Sequence, residues 1–249
     1  MSKNTQVKTT YISILKTFTG LFLIFSPACS FGQSGLCTIN IHFASKTANG
    51  RQVDLDMKDS TRSAIVKDGT VILRAEITQP ITVRITFRHA QHGQPYYWFE
   101  HTYIYLQPGE LKIEVPTDSI ITAQVKEPKL SKDFNDKLYK PVAYDNAEIE
   151  HCGHQLASAR RNSESDTTQL KTQLAIAIKK CFLIPQVYIR ANPDSPLSIN
   201  ALQMLGIGAK EADLSLDDIE KLYYSLSDNV KNSVAGSQYA QWLKNQKNK

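Results

Sequence analysis

The stretch ITVRITFR, residues 81–88, alternates strictly between apolar and polar side chains. Successive side chains of a β-strand point to opposite faces, so this spacing predicts a strand with one buried and one solvated face. Such alternation is typical of antiparallel sheets. A second stretch, TVILRAEI at 70–77, lies between an Asp-Gly turn and Pro80, as strands commonly do. Together the two stretches indicate that the first half of the chain is built from antiparallel strands.

Further short strands are expected on both sides of these two. The remaining candidates are 37–44, 52–57, 63–67, 97–106, 111–115 and 120–126. Turn-forming residues separate them, namely Asn49-Gly50, Asp68-Gly69, His92-Gly93-Gln94-Pro95 and Pro108-Gly109. About eight short strands at this spacing favour a sandwich, or an open barrel, over a parallel sheet. We predict an antiparallel β-sandwich over residues 36–127.

Near Pro128 the hydrophobic period changes from two residues to that of a helix. Helices are predicted at 144–161 and 167–182, joined by a polar loop. Pro185 is expected to kink or end the second of them, because proline cannot donate the helical hydrogen bond. Strands followed by helices predict an α+β fold, in which the sandwich is followed by a segregated helical domain over 128–245.

Three more helical segments are expected in this second half. One covers 197–205, and a short one lies around 239–243. Between them, Ser215 is the predicted N-cap of a helix, with Asp218 at the position of a capping box. The buried stripe of that helix is predicted to consist of Ile219, Leu222, Tyr223 and Leu226.

The first 32 residues have the composition of an export signal peptide. Lys3 and Lys8 give a positive start, 20–25 is a short apolar run, and small residues precede a cleavage site after residue 32. A membrane-spanning helix needs about 20 apolar residues, so this run is too short to be one. Alternatively, SPAC at 26–29 is a degenerate lipobox in which Cys29 carries a lipid anchor. Both alternatives predict an exported protein, periplasmic or associated with the outer membrane, with no transmembrane helix in the mature chain.

The charge balance argues against a nucleic-acid partner. The chain has 29 Lys and Arg residues against 24 Asp and Glu residues, and three of the lysines lie in the predicted signal peptide. The mature chain keeps 26 basic against 24 acidic residues, an excess of only two, which is too small to line a nucleic-acid surface. A hydrophobic content of 41% is enough for a folded core.

Either cleavage leaves three thiols for the folded part: Cys37, Cys152 and Cys181. Export leads to an oxidising compartment in which disulfides are stable. If the two predicted helices turn near 163–166, Cys181 lies about five residues, or roughly 7 Å, beyond the level of Cys152. A disulfide tolerates little of that offset. A Cys152–Cys181 disulfide and buried free thiols are both open alternatives.

Four motifs occur in an order that resembles a known envelope family. They are VKDGTVILRAEITQP at 66–80, YLQPGEL at 105–111, NPDSPLS at 192–198 and LSDNVKNSVAG at 226–236. The chain resembles the domain of unknown function that precedes the thioredoxin-like module in exported TlpA/ResA-type thiol–disulfide oxidoreductases. The resemblance covers most of 36–245. It implies a role in envelope thiol–disulfide metabolism, with an envelope thioredoxin-like protein as partner.

The redox motif of that family is missing from this sequence. Neither Trp98 nor Trp242 precedes a Cys-x-x-Cys pair, and no such pair occurs in the chain. Dithiol exchange needs two neighbouring thiols, one of them with a depressed pKa. The resemblance therefore implies an exported, non-catalytic accessory or scaffold protein without the thioredoxin module. A truncated oxidoreductase that lacks its redox domain is an alternative.

One pair of side chains has metal-ligand chemistry. His151 and His154 share a helix face and could hold one metal ion, or they are solvated histidines. Asp54 and Asp56 are expected as solvated acids of a strand rather than as an acid–base pair. The sequence contains no nucleophile elbow and no phosphate-binding loop. We therefore expect neither enzyme activity nor a cofactor.

The densest aromatic stretch is a candidate ligand-binding face. Aromatic rings on one face of a strand could stack on a glycan or a peptide. Aromatic side chains also favour strands for structural reasons, so a role in the core is the alternative. The candidate binding residues are Tyr97, Trp98, Tyr103 and Tyr105.

Overall fold

The computed structural model describes residues 34–89, 98–162, 167–208 and 214–248. These residues belong to two compact units. The first unit runs to Asp136 and contains the strands, whereas the second begins at Lys137 and is helical. Strands followed by helices confirm the α+β fold class expected from the sequence.

Eight strands in the described residues form two four-stranded sheets. They are β1 (Gly35–Phe43), β2 (Gln52–Met57), β3 (Ser60–Ile65), β4 (Thr70–Ile77), β5 (Ile81–His89), β6 (Trp98–Leu106), β7 (Gly109–Val115) and β8 (Gln124–Glu127). The first sheet has the order β4-β1-β7-β8, and the second has the order β3-β2-β5-β6. Neighbours are antiparallel except β1 and β7, which pair in parallel. The eight-stranded sandwich is confirmed, with one parallel pair in a fold expected to be antiparallel.

Strand β5 shows how the alternating stretch builds the core. Val83, Ile85 and Phe87 point between the sheets and are at most 1% exposed. The ring of Phe87 stacks on that of Phe43 in the opposite sheet, with centroids 5.0 Å apart. Full burial of one such side chain is worth about 1.5–3 kcal/mol. The same core also contains Ile39, Ile41, Leu55, Ile104, Leu111 and Ile113.

The last strand of the sandwich begins later than the predicted 120–126. Residues Ile120–Thr122 form a 3₁₀ turn, and within the predicted segment the pairing with β7 is made by β8, which begins at Gln124. The Thr122 hydroxyl donates to the carbonyl oxygen of Ser119 (2.8 Å) and so stabilises the turn. Ile120 is buried while Ile121 is 62% exposed. Composition alone does not distinguish such a turn from the start of a strand.

The first unit continues past the predicted boundary at residues 127 and 128. It includes α1 (Lys129–Asp133) and the first part of a π-helix (Phe134–Tyr139). The Ser131 hydroxyl donates to the carbonyl oxygen of Tyr105 (2.6 Å), and the Phe134 ring lies 5.9 Å from the Tyr105 ring. These contacts attach the segment to the outer face of β6.

Six helices form the described part of the second unit. They are α2 (Lys140–Arg161), α3 (Thr168–Ala191), α4 (Leu197–Gly208), α5 (Leu216–Tyr224), α6 (Asp228–Lys231) and α7 (Val234–Lys247). Helices α2 and α3 run antiparallel. The Cys181 thiol lies against Asn146 (Sγ–Oδ1 3.5 Å), whereas Leu156 packs in one cluster with Leu174.

Pro185 does not end the predicted helix 167–182. Helix α3 continues to Ala191, so the expected end at residue 182 is wrong. Proline removes the hydrogen bond to the carbonyl four residues earlier. The side chain of the next residue, Gln186, donates a hydrogen bond to the Phe182 carbonyl oxygen (3.1 Å). Pro185 itself is buried, and packing of this helix face outweighs the lost hydrogen bond.

The N-terminus of α5 has the predicted capping box. The Ser215 hydroxyl oxygen accepts from the Asp218 amide (3.1 Å), and the Asp218 carboxylate accepts from the Ser215 amide (3.3 Å). The predicted apolar stripe of this helix is buried. One of its members, Tyr223, donates to the Gly236 carbonyl oxygen (3.3 Å) and so connects α5 to α7.

Two helical glycines give a matched test of packing in the second unit. A Cβ atom at Gly236 would collide with the carbonyl oxygens of Val230 and Lys231, whereas one at Gly153 meets nothing within 4 Å. Alanine is favoured over glycine inside a helix by about 0.8–1 kcal/mol. We therefore expect Gly153→Ala to raise the free energy of unfolding in urea and Gly236→Ala to lower it. Equal gains from both substitutions would contradict the close approach of α6 and α7.

Candidate functional site

The predicted aromatic face of β6 is open only at its first two residues. Trp98 is 45% exposed and Phe99 is 61% exposed, whereas Tyr103 and Tyr105 are 4% and 5% exposed. Trp98 also points to the opposite face of the strand from the two tyrosines, because positions alternate. Tyr97 lies outside the described residues. The structure does not bring Trp98, Tyr103 and Tyr105 onto one surface, and the two tyrosines are buried strand residues.

Trp98 covers a polar corner at the end of the sandwich core. Its indole ring stacks on the His89 imidazole, with centroids 3.9 Å apart and planes 2° apart. The two residues are cross-strand neighbours on β5 and β6. His89 is 6% exposed. Trp98 therefore shields the imidazole from water while nearly half of its own surface stays accessible.

His89 is held between a cation and a carboxylate. Arg51 Nη1 lies 2.6 Å from His89 Nδ1. A guanidinium can only donate, so Nδ1 is assigned as the acceptor and the ring proton lies on Nε2. Nε2 is 3.3 Å from Glu100 Oε2, close enough for attraction but without hydrogen-bond geometry. The corner thus orients the imidazole with Nδ1 toward Arg51 and Nε2 toward Glu100.

Glu100 connects this corner to the 3₁₀ turn. Its Oε2 accepts a hydrogen bond from the Ile120 amide (3.0 Å). Arg51 lies over the Phe87 ring, with Cζ 5.5 Å from the ring centroid, as in a cation–π contact. The positive charge of Arg51 on one side of the imidazole is offset by the negative charge of Glu100 on the other side. The arrangement can hold Trp98 in one orientation at the surface.

The outer face of the second sheet carries a charged network centred on Asp54. Arg88 Nε lies 2.6 Å from Asp54 Oδ2. The Ser63 hydroxyl and the Gln52 amide each donate to Asp54 Oδ1 at 2.6 Å. Asp54 is only 2% exposed. The expectation of a solvated acid is therefore wrong at this position, because the carboxylate is surrounded by one donor from its own strand and one from each neighbouring strand.

These contacts determine the charge state of Asp54. Burial by itself would raise its pKa, but hydrogen bonds from Ser63, Gln52 and Arg88, with the charge of Arg88, hold the pKa below the ordinary value of 3.8. The carboxylate is ionised at neutral pH and joins three strands through charge-assisted hydrogen bonds.

His151 and His154 lie one turn apart on α2, as predicted, and both are exposed. The helix passes through Gly153 without a break. Within the described ranges, no group of three or more His, Cys, Asp or Glu side chains is arranged to hold a metal ion. The two imidazoles therefore stay a candidate pair that has no third ligand in those ranges.

Cys37, Cys152 and Cys181 are buried free thiols. The structure thus has the free-thiol alternative and not the Cys152–Cys181 disulfide. Burial raises the pKa of Cys37 to about 11. Burial, with a contribution from the charge of Asp145, raises the pKa of Cys181 to about 12. Because the thiolate is the reactive species, Cys37 and Cys181 are unreactive at neutral pH. Cys29, the candidate for lipidation, lies outside the described residues.

The chain has no match among protein-family models, curated proteins or solved structures. Among the residues that the structure describes, no helix has the length and apolar composition needed to cross a membrane.

Sequence interpretation missed Arg51 and Glu100 as partners of a buried histidine. The three residues come from a loop and two strands, so spacing along the chain does not reveal their contact. One signal was present. Glu100 lies an even number of positions from Ile104 and Leu106 on the same strand, so its side chain points to the same face as these two buried core residues. An acid on the core face of a strand requires a buried partner.

Asp54→Asn tests the charged network on the second sheet. A group whose pKa is lowered on folding stabilises the fold above its unfolded pKa, and this contribution is lost as the pH falls through the folded value. We expect Asp54→Asn to lower the free energy of unfolding at neutral pH by about 1–3 kcal/mol, and to show a smaller further loss in acid than wild type. The exposed Asp59→Asn is the control and should behave as wild type. Unchanged stability of Asp54→Asn at neutral pH would contradict the network.

Cys181→Ala tests the buried thiol. A thiol whose pKa is raised on folding stabilises the fold below its unfolded pKa, and that contribution is lost as the pH rises. The free energy of unfolding should therefore fall as the pH rises above 9.0, the ordinary pKa of this thiol, and fall less steeply in Cys181→Ala.

Thiol labelling tests the burial of the cysteines separately. At neutral pH, a thiol reagent should label Cys37 and Cys181 only after urea is added. Rapid labelling of either residue in the native protein, measured by mass spectrometry, would contradict their burial.

Proposed function

We propose that this chain is an exported, non-catalytic accessory or scaffold protein associated with envelope thiol–disulfide oxidoreductase systems. The observation that carries the proposal is the position of the four family-like motifs in the fold. The motifs at 66–80, 105–111, 192–198 and 226–236 all include a turn or a connection between elements. They direct the path of the backbone and do not assemble reactive side chains. This supports a resemblance in architecture without the redox chemistry of the family.

Two of the motifs illustrate this backbone role. In the motif 66–80, Asp68 and Gly69 have φ angles of 50° and 73°. In the motif 105–111, Gly109 has a φ angle of 113°. Positive φ favours glycine, because a Cβ atom makes this conformation costly. The glycines at positions 69 and 109 are therefore explained by chain geometry.

The cysteines also support a role without electron transfer. Thiol–disulfide exchange begins with attack by an accessible thiolate. Cys37, Cys152 and Cys181 are buried, and the raised pKa values of Cys37 and Cys181 keep these two thiols protonated at neutral pH. A protein with this arrangement can recruit a client or a partner oxidoreductase while leaving the exchange to that partner.

Export is part of the proposal. Residues 1–32 are the proposed signal peptide, and acylation of Cys29 is the lipid-anchored alternative. Both lie outside the described residues. The proposed location is the periplasm or the outer membrane, where a partner oxidoreductase would also be found.

A ligand-binding module is the second candidate, and the exposure of Trp98 and Phe99 favours it. Aromatic faces stack on sugar rings and on peptide side chains. Trp98 is held rigidly by its stacking on His89, and rigid aromatic groups lose little entropy on binding. Trp98 and Phe99 point to opposite faces of β6, so the candidate ligand is a glycan or a peptide that stacks on the exposed part of Trp98.

Capture from an envelope extract distinguishes the two functions. The full chain with a C-terminal tag serves as bait, and Trp98→Ala is the matched variant. The scaffold function predicts that both chains capture a thioredoxin-like oxidoreductase. A glycan or peptide captured by wild type alone would favour the ligand-binding module.

An insulin-reduction assay on the pure protein checks the non-catalytic part of the proposal. We expect no turnover, because exchange requires an accessible thiolate. Turnover at catalytic rates would contradict the proposal. So would the absence of an oxidoreductase from the proteins captured by both chains.

A further inference from the structure

Helix α3 carries an apolar stripe on its solvent side. Ile176, Leu183 and Val187 are 50%, 54% and 54% exposed. At 3.6 residues per turn, they fall within about 40° of one another around the helix, and they extend about 16 Å along it. These three residues are called the α3 stripe. The opposite side of the helix is buried and carries Leu174, Ala177, Cys181 and Pro185.

Positive charge borders the α3 stripe. The sequence of α3 has four cations and no acid. Lys180 lies about 40° to one side of Ile176 around the helix and Arg190 about 40° to the other. Asp145 of α2 interacts electrostatically with Lys180 and offsets part of this charge. The exposed cations of the helix are Lys171, Lys179, Lys180 and Arg190.

The surface next to Ile176 is concave. An open depression of about 360 Å³ lies along the N-terminal half of α3. Its described lining residues all come from α3, on the side of the helix that carries Ile176. They are Thr168, Lys171, Thr172, Ala175, Ile176 and Lys179.

The width and charge of this face identify its occupant. A helix that binds a lipid surface has a broad apolar face. A seam one residue wide is instead the geometry of packing between two helices. Cations on both sides of such a seam attract acidic residues that flank the seam of the second helix. We propose that the α3 stripe binds an acidic amphipathic helix of a partner protein. This inference rests on the proposed scaffold function, for which it supplies the docking face.

A synthetic peptide tests the inference directly. The probe is a helical peptide with Leu at heptad positions a and d and Glu at positions e and g. Repulsion between its own glutamates disfavours self-association. We expect the full chain to bind the labelled peptide in a fluorescence-anisotropy titration, more weakly as salt is raised. A peptide with Lys in place of Glu should not bind.

Variants locate the binding on α3. The double variant Ile176→Ser with Leu183→Ser should weaken peptide binding by about tenfold or more. The matched control is Ile72→Ser, because Ile72 is equally exposed (52%) but lies on β4. Lys180→Glu with Arg190→Glu should weaken binding of the Glu peptide and permit binding of the Lys peptide. Circular dichroism checks that each variant is folded. If the double serine variant unfolds, the charge-reversal variant still tests whether the peptide binds at α3.

Three results would overturn the inference. The first is equal binding of the Glu peptide by wild type and by the folded α3 variants. The second is failure of wild type to bind the peptide at all. The third is binding to phosphatidylglycerol vesicles that requires Ile176 and Leu183, without peptide binding, which would assign the face to a lipid surface.

The inference and the proposed function can fail separately. If wild type and the α3 double serine variant capture the same oxidoreductase equally well, the scaffold function stands and the docking face is wrong. If the peptide binds through the α3 stripe but no oxidoreductase is captured, the face stands and the proposed function is wrong.

Discussion

The ring contact between Phe43 and Phe87 joins the two sheets and depends on the register of their strands. A shift of one residue in β5 would turn Phe87 toward solvent and reverse every other side chain of the strand. Both polar sites depend on the same register. His89 shares the parity of Phe87 and so enters the corner with Arg51, whereas Arg88 points outward to Asp54. Packing of the core therefore also positions the charged groups on both faces of the second sheet.

Strands could be predicted from the sequence wherever one face is buried and the other is solvated. Both β2 and β4 have the predicted bounds, 52–57 and 70–77. For β3 the prediction is 63–67, whereas the strand is Ser60–Ile65. Almost every residue of β3 is exposed, so no alternation marks its limits. Helix α3 is longer than predicted because the burial of Pro185 depends on packing that spacing along the chain does not show.

The candidate site was less predictable, because its contacts cross between elements. Alternation places Tyr103 and Tyr105 on the outer face of β6, yet both are buried. The ring of Tyr105 is covered by a later segment that carries Phe134. In the same way, Arg51 and Glu100 meet His89 only after the strands have paired. The hydrophobic period of a sequence describes one strand or helix at a time. The surroundings of these side chains depend instead on which distant segment of the chain packs over that strand or helix.

The parallel pairing of β1 with β7 has a consequence for how the sandwich assembles. Cys37 lies opposite Gly109 and Phe43 lies opposite Val115. The first sheet therefore forms only when strands from the beginning and from the end of the sandwich have both become available. Because the chain emerges from its N-terminus, β1 becomes available before β7, and contacts this distant in sequence form slowly. Until Val115 has emerged, one edge of β1 presents unpaired amide and carbonyl groups that attract other strands. The newly made chain must therefore be kept from associating with other copies of itself during that interval.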